Sequence, residues 1–202
     1  MVTEQELTAI FSEVFPGVRI EACFAPLTQV KAQWQRASDW IAFRVSDYLT
    51  DAPAEALREF AEILRADTRG EEHPKKVALL DYITSPEFSQ KHRATFIERM
   101  HLAKDDDGSL EVLRNALRER GLYPDGFDDV ELVWSEFSMI SGIPDKCRSS
   151  VLMRLVSVPV DFNGRLTDPE VVKGFYEAFA YILAGYDAKF GAYETIVRKW
   201  RD

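Results

Sequence analysis

Residues 150–186 read SVLMRLVSVPVDFNGRLTDPEVVKGFYEAFAYILAGY, and this stretch decides the fold class. Ser150 to Val160 is apolar at most positions and rich in Val and Leu, the pattern of a strand central in a sheet. Asp168-Pro169 is a helix start, a capping carboxylate followed by a proline in the first turn. Val171, Val172, Phe175, Ala178, Phe179, Ile182 and Leu183 then form a broad apolar stripe at helical spacing, which ends at Gly185. A buried strand followed by an amphipathic helix predicts an α+β protein.

Working outward, Val130 to Phe137 alternates like a strand, with Val130, Leu132, Trp134 and Glu136 on one side. Residues 138–149, with Gly142 and Pro144, read as a loop, and a last helix is expected over 188–201. Before these, Leu110 to Arg120 reads as a helix closed by Gly121. The acidic run Asp105 to Gly108 reads as a turn followed by a Ser109 cap. Its glycine falls too early for a calcium loop, and Ala116 stands where that loop needs a bidentate glutamate. This turn is the expected boundary between an N-terminal half, 1–104, and a C-terminal half, 105–202.

In the N-terminal half, Thr3 caps a helix to Phe15, with Glu6 three residues on and Leu7, Ile10, Phe11 and Val14 at helical spacing. Pro16-Gly17 stops it. Val18–Phe24 and Trp40–Tyr48 read as strands. Asp51 and Pro53 open a helix to about Arg65, and further helices are expected over 75–84 and 86–99. Leu49-Thr50-Asp51 returns as Leu166-Thr167-Asp168, so each half runs helix, strand, long loop, strand, cap and helix. The echo reads either as a duplication into two similar halves or as two copies of a common helix-hairpin-helix unit, and the expected architecture is helices packed on a small, mainly antiparallel sheet.

Composition narrows the function classes. Hydrophobic residues make up 46% and charged residues 29%, which supports a sizeable core rather than disorder. Net charge is −9, which disfavours nucleic acid as a partner. Lys91, His92, Arg93, Arg99 and His101 make a local basic group, read as a solvated helix face. No apolar run reaches the ~20 residues that span a membrane, and the first residues are an acidic amphipathic helix rather than a signal peptide. Cys23 and Cys147 lie in no metal-binding spacing and read as free thiols, so a cytoplasmic location is expected. The sequence holds no phosphate-binding glycine loop and no nucleophile elbow.

The segments VELVWSEF, SMISGIPDKCRS, SVLMRLVSVPVDF, LTDPEVVKGFYEAFAYILAGY and AKFGAYETIVRKW follow one another in an order that resembles SprT-like zinc metallopeptidases of the minimal gluzincin type. That resemblance implies a zincin-like core, in which a strand, a loop and an apolar strand precede a helix bearing HExxH. That motif sets two imidazoles one helical turn apart on one zinc ion, with a glutamate beside them to polarise water. Placed on Glu177, this chain reads Tyr176-Glu177-Ala178-Phe179-Ala180. Tyr176 and Ala180 stand at the two histidine positions, and Tyr193 falls near the third ligand position. A phenol and a methyl group do not hold zinc, so no metal and no cofactor is expected and Glu177 is vestigial.

The resemblance thus implies a catalytically inactive relative that acts by binding. Tyr176, Ala180, Tyr193 and Trp134 would line the old cleft, and the partner would be a protein or peptide, with a homodimer as a further expectation. Two alternatives stand beside it. One is an enzyme of another class using Glu177 with neighbouring carboxylates such as Glu131 and Glu136. The other is a structural α+β protein unrelated to peptidases.

Overall fold

The computed structural model describes residues 1–72, 77–104, 106–119, 130–135, 148–150, 152–159 and 178. Its contacts cluster into two compact units, Met1–Phe88 and Ser89–Asp202. The class is α+β.

The first unit begins with α1 (Glu4–Val14). Thr3 and Glu6 form the expected capping box: the Thr3 hydroxyl accepts the Glu6 N–H at 3.2 Å, and the Glu6 carboxylate accepts the Thr3 N–H at 2.8 Å. Those Thr3 bonds hold the Glu6 carboxyl below the usual carboxylate range. Three strands follow, β1 (Arg19–Ala25), β2 (Ala32–Arg36) and β3 (Trp40–Ser46). They lie in the order β1-β3-β2, with β1 parallel and β2 antiparallel to β3. Ile41, Phe43 and Val45 share one face of β3 and are buried with Leu7 and Phe11 of α1. The Phe11 and Phe15 rings meet Phe43 at centroid distances of 5.1 and 5.2 Å.

A 3-10 turn (Asp47–Leu49) leads to α2 (Ala54–Arg69), which buries Leu57, Phe60, Ala61 and Leu64 and ends at Gly70 with φ 67°. Here the expected cap is corrected. Pro53, not Asp51, is the N-cap, and no side-chain cap bond is made. The Asp51 carboxylate instead faces the Met1 amino group at 3.5 Å. The unit continues through α3 (Ala78–Ile83) into the start of α4 (Pro86–Arg99).

The Glu59 carboxylate of α2 accepts the N–H groups of Val77, Ala78 and Leu79 at 3.2, 3.2 and 2.8 Å. One side chain thus satisfies the amino end of α3 with charge-assisted bonds. Glu59→Ala is expected to cost about 1–2 kcal/mol and to speed amide exchange at Val77–Leu79. Unchanged exchange there would show that α3 holds its own first turn.

The second unit contains β4 (Leu102–Ala103), α5 (Ser109–Glu119), β5 (Glu131–Ser135), β6 (Arg148–Ser150) and β7 (Leu155–Pro159). The expected Ser109 cap is replaced by another device: Ser109 opens the helix, and its N–H donates to the Asp107 carboxylate at 3.0 Å. The sheet order is β4-β5-β7-β6, with β5 parallel to β7 and β4 and β6 antiparallel to their neighbours. All five residues of β7 are buried, as its apolar sequence requires of a strand paired on both sides. The expected strand 150–160 is shortened to β7, because a turn at 152–154 with Arg154 at φ 51° reverses the chain between β6 and β7 and leaves only Ser150 of that stretch in β6.

The two units share a plan. A helix (α1 or α5) precedes three strands, the first is parallel to the third, and the middle one is antiparallel to the third at the sheet edge. Each half therefore holds three such strands rather than the expected two, since β2 and β6 fell in stretches read as loop. Among the described residues three strand pairings are antiparallel (β2·β3, β4·β5, β6·β7) and two are parallel (β1·β3, β5·β7), so the sheets are mixed. The sequence echo also extends further: Phe60-Ala61-Glu62-Ile63-Leu64 returns as Phe179-Ala180-Tyr181-Ile182-Leu183. Ala178 is helical and buried. No helix among the described residues is long and apolar enough to cross a membrane.

Candidate functional site

Trp134 is the member of the expected cleft that the structure describes. It lies in β5, half-buried, in register with Ala103 of β4 and Val158 of β7. Its expected companions Tyr176, Glu177, Ala180 and Tyr193 lie outside the described residues, as do Glu136 and Cys147.

Glu131 opens the same strand. Its N–H donates to the Arg154 carbonyl at 3.0 Å, and its carboxylate lies 3.6 Å from Nη1 of Arg93. Arg93 projects from α4 and is committed at each end of its guanidinium. Nε donates to the Met153 carbonyl at 2.9 Å, and Nη2 donates to the Ser89 hydroxyl at 3.0 Å. The planar fork thus ties α4 to the β6–β7 turn and to the first residue of β5, a task suited to arginine rather than lysine. Glu131 is accordingly a structural partner of Arg93, and this use weakens its candidacy as a catalytic carboxylate.

The basic group on α4 is likewise not a solvated face throughout. Lys91 is exposed, but His92 is buried and Arg93 is only about a quarter exposed. Sequence reading missed this because the partners that draw Arg93 inward lie far along the chain, 60 residues away at Met153. Among the described residues no group of three or more His, Cys, Asp or Glu side chains is placed to hold a metal ion.

The first unit carries two further surface features among the described residues. A groove of about 400 Å³ runs between α1 and the start of α2, lined by Met1, Val2, Glu6, Ile10, Asp51 and Ala54 among others. Its Asp51 is the carboxylate already engaged by the Met1 amino group. The other feature is the β2 edge, where Trp34 is 42% exposed and Gln33, Gln35 and Arg36 are exposed beside it. Nothing in the alternation of AQWQR marked it as a strand, because both of its faces carry polar residues.

No family model, no curated protein and no solved structure matches this chain.

Proposed function

We propose that this chain is a binding protein on a metallopeptidase-like plan from which the zinc ligands have been lost. One observation carries the reading: where HExxH would supply two imidazoles and a glutamate, the chain has Tyr176, Glu177 and Ala180, with Tyr193 near the third ligand position. A neutral phenol and a methyl group offer zinc no adequate donor set, and a glutamate without a metal has no activated water to serve. Support comes from the element order around that motif, in which β5, β6 and the buried β7 precede the segment that contains the helical Ala178. On this reading Trp134 and the tyrosines line a cleft that captures a protein or peptide in an intracellular setting.

Metal content tests the proposal. The untagged protein, grown with added zinc and dialysed, is expected to hold far less than one zinc per chain and to leave an unfolded protein substrate intact. One tightly held zinc per chain, or chelator-sensitive cleavage, would overturn it.

A further inference from the structure

The two edges of the first sheet are treated differently. At the β1 edge, the Thr8 hydroxyl of α1 donates to the Ala22 carbonyl and accepts the Ala22 N–H, both at 3.1 Å. A side chain thus occupies the ladder position that a further strand would take. The opposite edge, β2, pairs with β3 alone among the described residues. The Ser46 N–H donates to the Lys31 carbonyl at 3.0 Å, and the Ala37 N–H donates to the Trp40 carbonyl at 2.9 Å. These bonds place the odd-numbered residues of the strand in the hydrogen-bonded pairs with β3. By the alternation of an antiparallel ladder, the N–H and C=O groups of Ala32, Trp34 and Arg36 point away from the sheet. An outward row of main-chain donors and acceptors is a template for another strand.

The charge at this edge selects what can pair there. Lys31 precedes β2, Arg36 is its last residue, and Arg44 stands opposite Gln33 on β3. All three are exposed, and none takes a carboxylate partner among the described residues. The strand itself carries no acidic residue, although the chain as a whole is at −9. Lys31, Gln33, Gln35 and Arg44 share one face, while Trp34 shares the other with Phe43. We propose that β2 captures an extended peptide whose side chains alternate between acidic and apolar, adding it to the sheet as a fourth strand. Its carboxylates meet Lys31 and Arg44 on one face, and its apolar side chains cover Trp34 on the other. A second copy of β2 fits less well, because it would bring two more cations into the same ribbon. The inference names the partner of the binding role proposed above and rests on that role, not on the peptidase plan.

A fluorescent synthetic peptide alternating glutamate and valine, titrated into the full chain at low salt, tests it. Saturable binding is expected that weakens as salt rises. Ala32→Pro removes an outward N–H that β3 does not use, so it is expected to weaken binding about tenfold or more with the circular dichroism unchanged. The pair Lys31→Glu and Arg44→Glu tests charge separately and is expected to do the same. Absence of saturable binding, equal affinity for a lysine–valine peptide, or full affinity in both variants would overturn the proposal. So would a dimer in sedimentation that Ala32→Pro dissociates, or an oligothymidylate that binds the same edge as tightly as the peptide. Mass spectrometry of the recovered probe separates the two claims: a cleaved probe defeats the binding-protein reading, whereas an intact probe that never bound defeats only this one.

Discussion

Phe43→Ala is expected to lower the stability of the N-terminal unit by about 3–5 kcal/mol. Phe43 is 1% exposed and stands where the sheet meets α1. Its ring takes Phe11 edge-on at 5.1 Å, with an interplanar angle of 64°, and Phe15 at 5.2 Å. Truncation removes the transfer energy of the ring, both aromatic contacts and the filling of the space between them. Natural domains have only about 5–15 kcal/mol in all, so a loss of this size brings the unit near unfolding.

Phe43→Leu keeps most of the volume and is expected to recover more than half of the loss. The check is urea unfolding followed by tryptophan fluorescence in a background carrying Trp134→Phe and Trp200→Phe. The tryptophans left, Trp34 and Trp40, both lie in this unit, and Trp34 is the register partner of Phe43. A cost below about 1 kcal/mol would mean that α1 does not close over this sheet face.

Arg93→Ala is the second large effect expected, at about 2–3 kcal/mol. The loss comes mainly from the charged hydrogen bond to the Met153 carbonyl, which closes the turn where Arg154 sits at φ 51°. The Arg93–Glu131 pair contributes less, because the two side chains are 27% and 33% exposed and water screens them. Glu131→Gln is therefore expected to cost under about 1 kcal/mol, and Arg93→Lys to recover only part of the loss, since an ammonium does not reproduce the three-way fork. Denaturant unfolding of the two single variants and the double variant separates these contributions. A variant Arg93→Ala within about 0.5 kcal/mol of the parent would reduce the fork to a surface contact. An equal loss in Glu131→Gln would transfer the main role to the ion pair.

These two sites differ in how legible they were. Phe11 and Phe43 fall on apolar stripes of period 3.6 and 2, so their burial follows from the chain alone. Arg93 belongs to α4, whose sequence PEFSQKHRATFIER has a weak apolar face and two cations, Lys91 and Arg93, close together. Nothing local distinguishes the cation that turns inward from the one that stays in water. What draws Arg93 in is a carbonyl and a carboxylate from the β5–β7 region.

Cap and turn chemistry divides the same way. Thr3 and Glu6 cap α1 as their spacing requires, because both partners lie within one helical turn. Asp51 has the right residue type for a cap, yet its carboxylate goes to the Met1 amino group, brought there as the Val2 N–H donates to the Thr50 carbonyl at 2.6 Å.

The sequence by itself determined the α+β class, the helices α1, α2 and α5 with their apolar faces, and the strands β1, β3, β5 and β7. These rest on patterns within one element or on residue identity. Only the tertiary structure decided that β2 and β6 are strands, that β1·β3 and β5·β7 run parallel, and that β1-β3-β2 and β5-β7-β6 share one order, with β4 added to the second sheet. An edge strand such as AQWQR has no buried face to write a pattern into its residues, so it becomes a strand through the ladder that β3 offers it. Strand direction likewise depends on the path of the connection, which no periodicity encodes.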